Sequence, residues 1–297
     1  MAVELIEPVE VPLTDFPHST LSAPGMITIE ADLTPRYGTA LLSVPYVERD
    51  GVPLHLQVLL PPTPPDSDAR HPAVLYVQGS AWFPQNLGQE LPALADFTRR
   101  GYVVAVVEYR PSTVAPFPAQ VEDAKAAVRF LRDHAARFHV DPARLALWGD
   151  SSGGHTTVHT YLDPEPLGLR CAVDYYGPTD ISVMNTEPSI MDHRGPTSPE
   201  GMLIGGRPVL DSPELVAPTI AMNHVPTDRA LPPLLIMHGS QDRLVPFGQS
   251  VLLYEALVAA GQPVTFYQLR GSDHGGPAFW QPAVLDIVDA FLRQHLG

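Results

Sequence analysis

The chain has 297 residues, 44% of them hydrophobic and 17% charged, with 18 basic against 33 acidic side chains and a formal net charge of −15. That composition supports a sizeable buried core and excludes global disorder; the acidic surplus argues against nucleic acid or an anionic membrane as a partner. The lone cysteine, Cys171, excludes an internal disulfide and reads as a small core residue in the run Cys171-Ala172-Val173. No Cys/His cluster has metal spacing.

Met1 to Val11 is acidic and proline-bearing, without the basic start and apolar run of a signal peptide. No apolar stretch is long enough to span a bilayer, so the default expectation is a cytoplasmic protein. Residues 1 to 37 carry scattered prolines and little periodicity, which predicts an extended arm laid over a domain occupying residues 38–297. A hairpin follows. Thr39 to Val47 is strand-like, Asp50-Gly51 is a turn signal, and Leu54, Leu56, Val58 and Leu60 alternate with polar neighbours.

From Ala73 onward, short apolar runs alternate with amphipathic stretches. The runs are Ala73–Val77, Val103–Val107, Leu145–Trp148, Ala172–Tyr175, Leu234–Met237 and Val264–Gln268. Bounded runs of this length suit strands buried on both faces of a parallel sheet. Between them, Val121–Phe138 places Val121, Ala124, Val128, Leu131, Ala135 and Phe138 on one helical stripe, and Gly248–Ala260 and Ala283–Leu296 read as further helices. The alternation predicts an α/β fold with a doubly wound, mostly parallel sheet. Gly177 to Pro233 breaks the pattern with many prolines and glycines. A long irregular stretch between sheet strands predicts a lid-like or substrate-binding insertion at residues 177–233, over the C-terminal edge of the sheet.

The strongest chemical signal is Gly149-Asp150-Ser151-Ser152-Gly153, a G-x-S-x-G directly after a strand and before a helix. A nucleophilic serine has to project from a sharp strand-to-helix turn, and the glycines allow close packing there. The spacing selects Ser151 as nucleophile, with Ser152 supplying its backbone N–H. A serine hydroxyl needs a base. His274, in a glycine-rich loop after the last predicted strand, fits better than His155 or His238, which read as structural. Asp242, after the strand Leu234–Met237, is the carboxylate that would fix the base; Asp228 and Asp211 read as solvated or capping residues. A further oxyanion donor is expected from Gln78-Gly79-Ser80-Ala81-Trp82, after the strand Ala73–Val77.

From about residue 50 onward the chain resembles the esterase/lipase group related to hormone-sensitive lipase, within the α/β-hydrolase superfamily, and most of all its acetyl-xylan/feruloyl esterase-like branch. The resemblance is carried by Gln78-Gly79-Ser80-Ala81-Trp82, Glu108-Tyr109-Arg110, Phe117-Pro118-Ala119 with Asp123, Asp141-Pro142 with Arg144, Gly149 to His155, Ser198-Pro199-Glu200 with Gly205-Gly206, His238 to Asp242 with Val245-Pro246, and Gly271 with His274-Gly275. It implies an α/β-hydrolase fold, the triad Ser151, Asp242 and His274, and oxyanion donors at Gly79, Ser80 and Ser152. One departure stands out. The family's loop usually begins with histidine and glycines, whereas here Gln78 replaces the histidine, and Ser80 and Ala81 replace glycines. Which N–H of that loop donates is left open.

The expected activity is hydrolysis of a small-molecule carboxylic ester through an acyl-enzyme, on short acyl or carbohydrate-linked esters, with no cofactor or metal. Side chains at Ser80 and Ala81, with Trp82 beside them, leave little room for a long acyl chain. Trp82, Met184 and Met202 are candidate substrate contacts, with a core role equally open for each. Alternatives are an amide hydrolase of the same fold, arylformamidase-like or a peptidase, and a non-catalytic binding protein. Oligomeric state is left open, a homo-oligomer included.

Overall fold

The computed structural model describes residues 6–34, 37–49, 51–64 and 67–297. The chain divides into two units, Met1–Thr34 and Pro35–Gly297. The first has one short 3₁₀ turn, Leu13–Asp15, as its only described regular element. Of the expected Asp50-Gly51 turn, residue 50 lies outside the described residues.

The second unit is built on one eight-stranded sheet. In chain order its elements are β1 Thr39–Arg49, β2 Val52–Leu60, β3 His71–Val77, α1 Leu91–Arg99, β4 Val103–Val107, α2 Ala119–Asp133, β5 Val140–Asp150, α3 Ser151–Leu162, β6 Leu169–Tyr175, α4 Pro199–Leu203, α5 Pro213–Val216, β7 Leu234–Gly239, α6 Gly248–Ala259, β8 Val264–Leu269 and α7 Pro282–Leu296. The strand order is β1-β2-β4-β3-β5-β6-β7-β8. Pairing is antiparallel for β1 with β2 and for β2 with β4, and parallel from β4 through to β8.

Strand alternation sorts the core into two layers. Ala73, Leu75 and Val77 of β3 face one side, with Val128 and Leu131 of α2, Val158 of α3 and Leu253 and Leu257 of α6. Val74 and Tyr76 face the other, with Leu94 and Phe97 of α1 and Val288 and Leu292 of α7. Each fully buried Leu, Val or Phe contributes about 1.5–3 kcal/mol relative to exposure, so a dozen such side chains on each face fix the sheet between its helices. Trp148 of β5 anchors the second layer, edge-on to Tyr76, Phe97 and Tyr175 at ring separations of 5.4, 5.2 and 5.1 Å.

The expected runs all lie within strands. β8 differs in being half-exposed on alternate residues rather than buried on both faces, because it is the last strand of the sheet. The helix expected over Val121–Phe138 ends at Asp133; Ala135–Phe138 is a separate 3₁₀ turn, although Ala135 and Phe138 stay buried. Helix α1 has no counterpart in the sequence reading. Among the described residues no helix is long and apolar enough to cross a membrane.

Between β6 and β7, the segment 177–233 holds only α4, α5 and short 3₁₀ turns. Ile181, Leu203, Ile204, Val209 and Val216 gather around Trp82 in a small apolar cluster of their own. The carbonyl of Thr219 meets the Nε2 atoms of His155 and His159 on α3, at 3.1 and 2.9 Å, which fastens the segment to the helix after Ser151.

Candidate active site

Strand β5 ends at Asp150 and α3 begins at Ser151, so the chain turns from strand to helix with no connecting loop. Ser151 takes the left-handed backbone, φ 50°. For a residue with a Cβ this costs on the order of 1–3 kcal/mol and persists only where the surroundings impose it. The surroundings here are close. A Cβ on Gly149 would collide with the Gly153 carbonyl and the Thr157 hydroxyl; one on Gly153 would collide with the Val77 carbonyl of β3. Only glycine fits at both positions, and the squeeze aims Ser151 away from the sheet.

His274 stands over this turn, its Nε2 2.9 Å from Ser151 Oγ and its Nδ1 2.7 Å from Asp242 Oδ2. With Nδ1–H donating to the carboxylate, Nε2 is left to accept from the Ser151 hydroxyl. The Asp242 side chain is fully buried. Its Oδ1 accepts the N–H groups of Leu244 and Val245 at 2.9 and 2.8 Å. Burial alone would raise this carboxyl; hydrogen bonds from His238 and His274 outweigh it and bring the group down to about 2. His238 lies behind the acid, 3.2 Å from Oδ2, and is itself held by Ser250 Oγ and the Val245 carbonyl. His274 is fixed through its own backbone too: Asp273 Oδ1 accepts the His274 N–H at 2.8 Å, and the Asp273 carboxylate pairs with Arg243. Asp211 and Asp228 are exposed, and His155 is buried beneath the turn against Thr219.

The loop after β3 departs from expectation. The Gly79 N–H donates to Asp150 Oδ1 at 2.9 Å, and the Ser80 N–H donates to Ser152 Oγ, also at 2.9 Å. Both amides expected as oxyanion donors therefore have acceptors inside the protein. The physical reason is the side chain at Ser152, an acceptor that glycine or alanine would lack, together with the buried carboxylate at Asp150. Ala81 and Trp82 adopt left-handed backbone, φ 55° and 57°, and no acceptor among the described residues meets their N–H groups. A run of hydroxyls ties loop and turn together: Ser152 Oγ lies 3.3 Å from Tyr109 Oη, which lies 2.9 Å from Ser80 Oγ, which donates to the Phe83 carbonyl at 2.6 Å. Gln78 donates to Glu90 at 2.6 Å.

Ser151 opens on two spaces. A cleft of about 610 Å³ is lined by Tyr76, Gln89, Glu90, Tyr176, Gly275 and Trp280. Burial raises the Glu90 carboxyl, the nearby Asp150 charge adds to this, and hydrogen bonds from Gln89 and Gln78 only partly offset it, leaving Glu90 at about 7. On the other side is a chamber of about 60 Å³ lined by Trp82, Met191, His193, Glu200 and Leu244. Trp82 is 1% exposed and belongs to the apolar cluster as well as the chamber wall. Met184 is buried and Met202 half-buried, and neither lines the cleft or the chamber. The sequence reading missed His193 as a wall residue and quoted Glu200 only as part of a family pattern.

Comparison with known proteins gives a consistent picture. The family described as BD-FAE matches residues 61–257. Esterase LipQ of Mycobacterium tuberculosis is 27% identical over 219 residues, covering 69% of this chain and 50% of its own length. The chain thus spans half the length of that relative. A solved structure described as a truncated form of a carbohydrate esterase from gut microbiota superimposes with a TM-score of 0.75 at 27% identity, covering 89% of this chain and 98% of the other. The esterase Est2 of Thermogutta terrifontis with propionate bound gives 0.67 at 25% identity, covering 87% and 94%. The sheet and its helices form the α/β-hydrolase fold of these neighbours.

Proposed function

The chain belongs to the BD-FAE family, and from that premise we propose that it is a serine hydrolase of carboxylic esters, with Ser151 as nucleophile, His274 as base and Asp242 as the carboxylate that orients the base. The observation that carries the reading is the continuous hydrogen-bond line from Asp242 through His274 to Ser151, at 2.7 and 2.9 Å. Ser151 Oγ bonds to the ester carbonyl carbon as its proton passes to His274 Nε2. The resulting imidazolium faces an acid held ionised. The tetrahedral oxyanion lies between the N–H of Ser152, at the start of α3, and the free N–H of Ala81. His274 then protonates the departing alcohol as the carbon–oxygen bond breaks, and water repeats the sequence on the acyl-enzyme.

Two features support a short acyl group. The chamber beside Ser151 holds about 60 Å³, a tenth of the volume of the cleft at about 610 Å³. The Thermogutta terrifontis neighbour has propionate bound. The larger cleft, with Tyr176 and Trp280 beside the polar Gln89 and Glu90, suits a polyhydroxylated alcohol portion such as a sugar, which offers both C–H faces and hydroxyls.

A panel of acetyl, butyryl, octanoyl and palmitoyl nitrophenyl esters, combined with mapping of a serine-directed phosphonate probe, tests the reading. The expected result is highest kcat/KM at acetyl to butyryl and label on Ser151. Specificity climbing to octanoyl or beyond would show that the chamber does not limit the acyl group. Failure to label any serine, with no ester cleaved, would remove the hydrolase assignment.

A further inference from the structure

The small chamber is not uniformly apolar. Glu200 enters it from α4, where Ser198 accepts the Gly201 N–H at 3.0 Å and Pro199 starts the helix, so that Glu200 is fixed in the first turn. Its side chain is 4% exposed, and its Oε1 lies 2.8 Å from Nδ1 of His193, whose side chain is 2% exposed. His193 is held in turn: its Nε2 lies 3.0 Å from the Leu244 carbonyl and 3.0 Å from Ser189 Oγ. Nε2 therefore carries the proton that the carbonyl accepts. Glu200 Oε2 is buried and has no hydrogen-bond partner among the described residues.

Leaving a buried acceptor without a donor costs about 1–3 kcal/mol, and more for a charged group, so an unpartnered carboxylate oxygen on a residue that lines a substrate chamber is a strong demand for an O–H or N–H. The demand has one sign. Whether the proton shared with His193 lies on Nδ1 or on Oε1, Oε2 can only accept. Nor is the group free to turn away, because its other oxygen and its helix position are both fixed.

We propose that Glu200, held by His193, is a specificity-determining residue for the acyl group, and that the chamber takes small acyl groups carrying a hydroxyl, such as 2-hydroxyacyl esters. The inference rests on the esterase reading above. A short acyl group suits the chamber, the smaller of the two spaces at Ser151. A CH₂–OH places its hydroxyl where CH₂–CH₃ would place a methyl against Glu200. The alcohol portion goes to the wider cleft. Ser189, His193, Glu200 and Leu244 join the irregular segment to the loop carrying Asp242, so the same contact that reads the acyl group is braced against the catalytic acid's loop.

Methyl glycolate and methyl propionate have the same shape and differ in hydroxyl against methyl, which makes them the probes. Their kcat/KM ratio is measured on the full-length protein by pH-stat titration and divided by the ratio of their hydroxide-catalysed rates, which removes intrinsic reactivity. The wild-type quotient is expected to exceed one by about tenfold or more, the scale of one charge-assisted hydrogen bond. Glu200→Leu is expected to bring it close to one while propionate is still hydrolysed. A wild-type quotient near one overturns the proposal without any variant, which covers the case in which Glu200→Leu fails to fold. Equal losses on both esters in Glu200→Leu, with the quotient unchanged, also overturn it, because a merely structural role predicts that. Hydrolysis of neither ester by the wild type would instead defeat the esterase reading itself.

Discussion

The turn at Ser151 and the loop at Gln78–Trp82 are built alike and behave differently. Each follows a central parallel strand, β5 or β3, each contains small residues, and each places residues in the left-handed backbone region. At the first, glycines are forced by contact: Gly149 and Gly153 have no room for a Cβ. At the second, side chains are present and take part. Asp150 and Ser152 claim the Gly79 and Ser80 amides of the loop, and Tyr109 threads the hydroxyls together. Where sterics dictate residue type, the pattern in the sequence translates directly into geometry. Where hydrogen-bond partners compete, it does not.

The contrast is broken most severely by Ser151→Ala. Turnover is expected to fall by roughly a millionfold with the fold intact by circular dichroism. If Ser151→Ala kept even a tenth of the activity, the turn would not be the catalytic one. A smaller effect is expected from Ser152→Ala, which keeps the backbone N–H but removes the acceptor for Ser80. The loop then loses a hydrogen bond worth about 1 kcal/mol, and kcat is expected to drop by less than about tenfold. A rise in kcat would reverse the assignment of donors, since it would mean that the released Ser80 amide serves the oxyanion better than Ala81 does.

The smallest effect concerns Glu90, which Gln78 joins to the loop. Its carboxyl is raised from about 4.5 to about 7 in the folded protein, first by burial. A carboxyl raised on folding binds its proton more tightly in the native state. It therefore favours the native state most at pH below 4.5, and that contribution is lost as pH rises to about 7. Glu90→Gln is expected to flatten the pH dependence of the urea midpoint across that window, leaving it unchanged below. An identical pH profile in wild type and variant would show that Glu90 ionises normally.

How much the sequence disclosed follows the same division. The apolar runs from Ala73 to Val107 are legible because burial on both sheet faces leaves no freedom in residue type. The proposed triad is legible because its three members follow β5, β7 and β8 in chain order. Helix α1 is short, with Pro92 in its first turn, and it is its packed face, Leu94 and Phe97, that reveals it. Glu200 and His193 were not assignable to a chamber because they lie in a segment without period, where neighbours in space are unrelated to spacing in sequence. Only the pairing at 2.8 Å shows that they act together.

In the sheet, the last residues paired between β3 and β5 are Val77 and Gly149, and both the loop and the turn begin with the next residue. Adjacent strands lie about 4.8 Å apart. The two arms that would hold the oxyanion therefore leave the sheet one strand spacing apart. Substitutions along Gln78–Trp82 can rotate a peptide or occupy an amide, but they do not move the strand ends from which the arms start. The sheet acts as a ruler for the chemistry, and residues 177–233, which pack against Trp82 on one arm and the helix after Ser151 on the other, shape what enters between them.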